Sequence, residues 1–281
     1  MIDAIPFLAW PFAACLVLTG IHAYLGLHVV ERQVIFVDLS LAQIAALGTT
    51  IAFLAGHDLH SQTAYFFSLG FTLLGAAIFA LSRGAGRRIP QEAIIGIVYA
   101  VCAAISILIV DRSPEGTEHL KYILVGNLLA VTPHEVIKMA ILYGIVGWLH
   151  WTWRRPFLAI STDPDGAAAA HLPIRLWDFL FYATFGLVVT SSVAIAGVLL
   201  VFSYLIVPSV TAMILARSIG SRLAVGWAMG VLVSFLGILL SYRLDMPTGA
   251  SVIATFGLVL ALVALTRTVF ARGTETSRAP G

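Results

Sequence analysis

An apolar segment near the start of the chain, residues 34–48, reads VIFVDLSLAQIAALG. Its composition is that of a membrane-spanning helix, except that Asp38 and Gln43 stand where hydrocarbon would favour apolar side chains. A carboxylate at bilayer depth costs about 3 kcal/mol or more unless it faces protein, water or a cation. Polar residues at this depth usually mark an ion or substrate pathway, or a binding site, within a bundle of membrane helices. The segment therefore predicts a protein that moves a polar species across a membrane, with Asp38 as the first candidate residue.

The composition of the whole chain supports this interpretation. Of the 281 residues 60% are hydrophobic and only 11% are charged, and the mean hydropathy is +0.98. Soluble domains carry about 25% charged residues, so we expect a polytopic membrane protein without a separate soluble domain. The net charge of +2 gives no reason to expect a nucleic-acid partner. Cys15 and Cys102 lie in apolar stretches without metal-ligand spacing, and no disulfide framework is expected.

Apolar stretches long enough to span a bilayer, about 20 residues each, occur nine times. The predicted spans are 6–29, 37–56, 64–82, 91–110, 134–153, 177–195, 196–216, 222–241 and 248–268. Because 177–216 is too long for one crossing and contains Gly197 and Pro208, we interpret it as two helices or as one helix plus a broken one. Residues 120–132 are apolar but too short to span, which favours a re-entrant or interfacial segment.

The predicted fold is an all-α polytopic membrane protein, a bundle of eight to nine transmembrane helices with this short re-entrant segment. Residues 1–272 form the membrane domain, and 273–281 form a short cytoplasmic tail that we expect to be disordered. Lys and Arg concentrate on the cytoplasmic side of membrane proteins, which places the N-terminus outside and the C-terminus inside. Four basic residues then lie outside, namely Arg112, Lys121, Lys138 and Arg243. The other twelve lie inside, namely Arg32, Arg83, Arg87, Arg88, Arg154, Arg155, Arg175, Arg217, Arg222, Arg267, Arg272 and Arg278.

The longest predicted inside loop, residues 154–176, contains the pattern of a short helix. Asp163 can cap its N-terminus, Pro164 suits its first position, alanines form its body, and Pro173 would end it. A capped cytoplasmic helix between two spans suits docking to a cytosolic partner, and a simple surface connector is the alternative. The sequence contains no G-x-x-x-x-G-K-[ST] motif, so we expect no enzymatic activity of its own, and any ATP hydrolysis would need a partner subunit.

Three polar residues on the first predicted hairpin form a candidate metal-binding set, His22, Asp38 and Gln43. Imidazole, carboxylate and amide oxygen together can ligate a divalent cation such as Zn²⁺ or Mn²⁺. The alternative is that His22 hydrogen-bonds a backbone carbonyl and Asp38 pairs with Arg32 near the interface. On the predicted outer side, four histidines could collect metal from a donor protein or be ordinary surface residues. They are His57, His60, His119 and His134.

Four stretches of the sequence, in order along the chain, carry a resemblance to a known family. The first runs from Val30-Glu31-Arg32 through Asp38 to Gly48, and the second is EAIIGIVYA at 92–100. The third is LVGNLL at 124–129, and the fourth covers 197–212 and is followed by DMPTGA at 245–250. In these stretches the chain resembles the membrane-spanning permease of the ABC-3 family, the zinc, manganese and iron-chelate importers of bacteria. The resemblance covers nearly the whole chain.

The resemblance implies a permease of the bacterial cytoplasmic membrane that imports zinc or manganese by alternating access. The transported ion would be the substrate, and no cofactor would be bound permanently. The partners would be a second permease copy in a homodimer or a related permease, two cytosolic ATPase subunits, and a periplasmic or lipoprotein metal-binding protein. The short cytoplasmic helix would be the coupling helix that contacts the ATPase through Asp163, Asp165, Gly166, Ala167, Ala168 and His171. The same scaffold carrying a metal chelate, or a secondary transporter without an ATPase, are the alternatives.

One position departs from the family's pattern. The second helix of the family usually carries a histidine four residues after the aspartate, and here that position is Ala42, with Gln43 next to it. Either His22 supplies the imidazole from the neighbouring helix, which we favour, or this chain does not bind the bare ion in the usual way.

Overall fold

The computed structural model describes residues 5–58, 61–83, 89–111 and 125–276, and within these ranges the chain is helical without β-strands. A one-turn 3₁₀ helix covers Leu128–Ala130, and eleven α-helices account for most of the rest. In chain order they are α1 Ile5–Glu31, α2 Val37–Leu54, α3 Gln62–Ser82, α4 Gln91–Val110, α5 Pro133–Thr152, α6 Arg154–Thr162, α7 Pro164–Ala169, α8 Ile174–Ala196, α9 Val198–Leu215, α10 Ile219–Leu244 and α11 Thr248–Thr276. The predicted all-α fold is confirmed.

Eight of these helices are long and apolar enough to cross a bilayer, namely α1 to α4 and α8 to α11. The helix α5 coincides with the ninth predicted span, 134–153, but is not among the eight because its sequence is less apolar. It begins at a capping box, in which the Thr132 hydroxyl accepts a hydrogen bond from the Glu135 N–H and the Glu135 carboxylate accepts one from the Thr132 N–H. These two reciprocal hydrogen bonds satisfy two backbone N–H groups that would otherwise have no partner in the first turn of the helix.

The bundle is organised around its first two helices. Helix α1 packs against α5, α9 and α10, whereas α2 packs against α3, α4 and α8. Small residues allow the closest contacts: a Cβ atom at Gly26 would collide with the Leu205 carbonyl of α9, and one at Gly48 would lie 2.7 Å from the Phe67 carbonyl oxygen of α3. Helices in a bilayer associate through such close van der Waals packing, because lipid provides no hydrophobic force to join them.

The long apolar stretch 177–216 contains two helices, α8 and α9, which answers the question that the sequence left open. They meet at Gly197, whose φ of +76° is readily adopted only by glycine. Pro208 lies within α9 and does not break it. The segment before α5 packs on this junction, since the Asn127 N–H donates to the Ile195 carbonyl at 3.1 Å. Within its described part, 125–132, the 3₁₀ turn covers Leu128–Ala130, and 120–124 lie outside the described residues.

The loop 154–176, which the sequence predicts to be cytoplasmic, contains two helices instead of the single predicted one. The Asp163 carboxylate caps α7 by accepting the Gly166 N–H at 3.0 Å, and Pro164 occupies the first position, as predicted. The prediction that Pro173 ends the helix was wrong, because α7 already ends at Ala169. There His171 adopts a left-handed φ of +55°, and the Leu172 N–H donates to the Ala167 carbonyl. This backbone pattern terminates helices without proline.

The C-terminal helix α11 continues to Thr276. It therefore includes residues 273–276, which the sequence assigned to a disordered tail, while 277–281 lie outside the described residues.

Candidate functional site

Asp38 lies in the first turn of α2, where it is 2% exposed and one carboxylate oxygen, Oδ1, has no hydrogen-bond partner among the described residues. The alternative pairing with Arg32 was wrong, because the Arg32 guanidinium binds Asp178 instead. A buried oxygen without a partner inside a membrane bundle indicates a binding function more than a packing function.

Glu92, which the sequence analysis did not select as a site residue, lies beside Asp38. It is the second residue of α4, and its Oε1 accepts the N–H of Phe36 at 3.0 Å, two residues before Asp38. Helices α2 and α4 pack closely together, and Glu92 Oε2, like Asp38 Oδ1, is buried without a hydrogen-bond partner among the described residues. The sequence does contain a signal that singles out Glu92, because Glu92 is the sole acidic residue of the predicted span 91–110. We call these two residues the Asp38–Glu92 pair.

Gln43 does not share a helix face with Asp38. Five residues of α-helix rotate a side chain by about 140° net, whereas four residues return it to within about 40°. Ala42 therefore lies on the Asp38 face, where it is buried, and Gln43 is directed away from that face and is half-buried.

His22 is buried between α1, α5 and α8, and both of its ring nitrogens are engaged. Nδ1 donates to the Leu18 carbonyl at 2.9 Å, and Nε2 lies 3.2 Å from the Ser192 hydroxyl. His22 lies nine residues before Glu31, so about 13 Å of helix separates it from the end of α1. Asp38, in contrast, is the second residue of the next helix, α2. The hydrogen bond to a backbone carbonyl is the alternative that the sequence analysis gave for this residue.

The structure thus does not bring His22, Asp38 and Gln43 together, and their roles as metal ligands stay predictions. Among the described residues, no three His, Cys, Asp or Glu side chains are grouped closely enough to hold a metal ion. Of the four histidines on the predicted outer side, His57 and His134 are exposed, while His60 and His119 lie outside the described residues.

A second polar group, which we call the inner ion-pair cluster, consists of Arg32, Arg83 and Asp178. Asp178, in α8, is fully buried, and its carboxylate accepts hydrogen bonds from both arginines at 2.7 Å. Arg32 is 1% exposed and stacks its guanidinium 4.0 Å from the centre of the Phe181 ring. Burial lowers the pKa of the Arg32 guanidinium, and the Asp178 carboxylate opposes this shift. Arginine nevertheless stays charged, because the guanidinium is not deprotonated in proteins.

The inner ion-pair cluster also holds α6, the first helix of the loop 154–176. Arg32 Nε donates to the Ser161 hydroxyl at 2.8 Å, and Arg83 Nη2 donates to the Ile160 carbonyl at 3.1 Å, both in α6. The predicted coupling residues follow directly in α7 and its flanks. Ala167 is buried, whereas five of them are exposed, namely Asp163, Asp165, Gly166, Ala168 and His171. The cluster therefore connects α6, which directly precedes this exposed surface, to the end of α3 and to α8.

The sequence model of a family described as the ABC 3 transport family matches residues 4–268 of the chain. The chain belongs to the ABC 3 transport family. One curated protein with a similar sequence is a "probable iron transport system membrane protein" of Haemophilus influenzae. It is 30% identical to this ABC 3 chain over 238 residues, which cover 85% of each chain. Another is the "manganese transport system membrane protein MntC" of Listeria monocytogenes, 28% identical over 196 residues that cover 67% of this chain and 69% of the relative.

Among solved structures, the ABC 3 chain is similar to one described as "PsaBC from Streptococcus pneumoniae in complex with Fab". The TM-score is 0.77 at 23% identity, with 93% of each chain covered. At this identity the likeness establishes the shared fold. The family to which the sequence analysis found a resemblance is confirmed.

Proposed function

We propose that this ABC 3 chain is the membrane-spanning permease subunit of an importer for divalent metal ions. The observation that carries the proposal is the Asp38–Glu92 pair, in which two buried carboxylate oxygens have no partner within the described part of an apolar bundle. Carboxylate oxygens suit harder cations, so they favour Mn²⁺ over metals that prefer thiolates. The names of the relatives, which refer to iron and manganese transport, support a metal ion as the substrate.

One copy of the chain offers the ion too few ligands. Two carboxylates do not complete the octahedral oxygen shell that Mn²⁺ prefers, and the described residues provide no third His, Cys, Asp or Glu nearby. A second permease copy would contribute an equivalent pair, and water or a backbone carbonyl could fill the remaining positions. We therefore propose a homodimer in which the ion passes the Asp38–Glu92 pairs of both copies during alternating access.

Energy for this movement would come from a separate cytosolic ATPase, because the sequence lacks a nucleotide-binding motif. The exposed surface of α7 would dock to that subunit, and the inner ion-pair cluster would pass its motion to α3 and α8. A periplasmic or lipoprotein binding protein would deliver the metal at the outer face. The distribution of Lys and Arg supports a location in the bacterial cytoplasmic membrane with a cytoplasmic C-terminus.

The experiment that tests the function compares the metal content of cells with and without the chain, measured by elemental analysis after growth in limiting Mn²⁺, Zn²⁺ or iron. We expect the cells that lack the chain to hold less Mn²⁺, and an ATPase subunit to co-purify with the tagged permease. Uptake that continues when the ATPase gene is deleted would favour a secondary transporter instead. Unchanged content of all three metals would refute the proposal.

A metal chelate is the second candidate substrate, and a specific observation favours it. The position that carries histidine in the family is Ala42, so the Asp38 face of α2 lacks the imidazole that would bind a bare Zn²⁺. Uptake of radiolabelled iron given as free ion or as a siderophore complex separates the two cases. Accumulation only of the complex would identify a chelate importer.

A further inference from the structure

A cavity of about 400 Å³ lies between α1, α5, α6 and α10. This volume is within the range of ligand pockets, roughly 300–1,000 Å³. Three glycines line the cavity and leave room for it: Gly20 in α1, Gly147 in α5 and Gly220 in α10. A Cβ atom added at Gly20 or Gly220 would meet no atom within 4 Å, and one added at Gly147 would meet only Ile21, at 4.0 Å. Neither member of the Asp38–Glu92 pair lines this cavity, so its role is separate from the proposed metal path.

Two polar atoms in the wall of the cavity are buried and have no hydrogen-bond partner within the described ranges. They are the Nδ1 atom of His150 and the hydroxyl of Tyr24. His150 is 1% exposed, and its other ring nitrogen binds the Thr184 hydroxyl at 2.8 Å. A buried polar atom normally has a partner. Neighbouring side chains cover both atoms, so a ligand in the cavity would reach them only after those side chains move.

Cationic side chains lie at the end of the cavity that the distribution of Lys and Arg places at the cytoplasmic surface. Arg222 lines the cavity and pairs with Glu31. Arg154 also lines it, is exposed, and has no acidic partner among the described residues. Its guanidinium lies 4.5 Å from the centre of the Trp151 ring. One ion pair plus one unpaired arginine leaves a net positive charge at this end.

The position of the cavity identifies lipid as its occupant. The flanking helices α5 and α10 both pack on α1 and present exposed apolar side chains beside the cavity, including Trp151, 68% exposed, and Trp227, 43% exposed. Tryptophan is enriched at the level of the lipid headgroups. Most of the wall is apolar, which suits an acyl chain better than a solvated ion.

We propose that this cavity binds one anionic phospholipid of the cytoplasmic leaflet. The acyl chain would pack between α1, α5 and α10, and the phosphate would lie at Arg154 and Arg222. The Tyr24 hydroxyl would donate a hydrogen bond to a glycerol ester oxygen once the side chains that cover it move aside. Basic pockets between transmembrane helices on the cytoplasmic side bind anionic headgroups in this way. Because α6 forms part of the wall and carries Ser161 of the contact with Arg32, the lipid would also brace the cytoplasmic helices against the bundle.

The test measures lipid binding to the purified full-length permease by native mass spectrometry, with phosphatidylglycerol and phosphatidylcholine of identical acyl chains as probes. We expect Arg154→Gln to weaken phosphatidylglycerol binding about fivefold, the effect of one arginine near a lipid surface. Arg155→Gln is the matched control, because Arg155 is exposed next to Arg154 but does not line the cavity. Equal effects of the two substitutions, or equal binding of both lipids by the unaltered protein, would overturn the proposal.

Filling the cavity gives a second, independent readout. Gly147→Leu and Gly220→Leu each place a side chain into the cavity from opposite walls, and we expect both to displace the bound lipid. Gly144→Leu, one turn away on α5 and also without a neighbour within 4 Å, is the control that should retain it. Retention of phosphatidylglycerol by both filled variants would overturn the proposal. A filled variant that keeps its lipid but changes its oligomeric state would show that a second copy covers this surface instead.

Discussion

Asp178→Asn should remove more stability than any other single substitution in the inner ion-pair cluster. The carboxylate is fully buried and neutralises Arg32, which is 1% exposed, together with Arg83, which is 19% exposed. Asparagine keeps the size of the side chain but leaves two guanidinium groups without an anion. Removing one partner of a buried ion pair costs about 3–5 kcal/mol, because the remaining charge stays out of water.

Arg83→Gln provides the comparison that tests this explanation. It leaves Asp178 paired with Arg32, so one positive and one negative charge still balance in the buried cluster. Water also reaches the Arg83 side chain. We expect a loss of about 1–2 kcal/mol, the contribution of charged hydrogen bonds at a partly exposed site.

The assay is thermal unfolding of the detergent-solubilised permease, followed by tryptophan fluorescence. At about 2–4 °C per kcal/mol, Asp178→Asn should lower the Tm by roughly 6–20 °C, and Arg83→Gln by only a few degrees. The ranking of the two Tm values tests the explanation more directly than either Tm value alone. A Tm for Arg83→Gln at or below that of Asp178→Asn would refute the charge-balance reasoning.

Three further substitutions test other parts of the structure. His22→Ala should destabilise the permease by about 1–3 kcal/mol in the same assay while transport continues, because both ring nitrogens bind the protein itself. Gly26→Val should prevent accumulation of the folded permease in membranes, as judged by immunoblot, whereas Gly20→Ala, with open space around it, should not. Ala42→His should raise zinc uptake relative to manganese uptake in a competition assay, because it adds an imidazole on the helix face of Asp38.

The helices of the bundle could be predicted from the sequence because a bilayer imposes a simple rule. Every backbone N–H and C=O inside hydrocarbon needs an internal partner, so a long apolar stretch becomes a helix whatever its neighbours are. The cap formed by Asp163 is a local feature of the same kind. Helix α6 was missed, since Arg154, Arg155 and Pro156 resemble a loop, and its stability comes from packing of Phe157 and Ile160 in the core.

The candidate site was harder to predict, because its partners are distant in sequence. Arg32 lies six residues from Asp38, which suggested a local pair, yet it binds Asp178 across 146 residues of chain. Glu92 and Asp178 each carry the same signal as Asp38, a lone carboxylate in an apolar span. Tertiary packing distinguishes the three: Asp178 is paired with Arg32 and Arg83, whereas Asp38 and Glu92 form no ion pair among the described residues.

The measurement that tests the central claim most directly is the initial rate of ⁵⁴Mn²⁺ uptake by cells that express Asp38→Asn, Glu92→Gln or both substitutions at equal permease levels. If the Asp38–Glu92 pair contacts the ion as a unit, each single variant should lose at least about tenfold in rate, and the double variant should lose little more. Asp245→Asn, a carboxylate change at an exposed loop position, should transport normally. Unaltered uptake by the double variant would contradict the account.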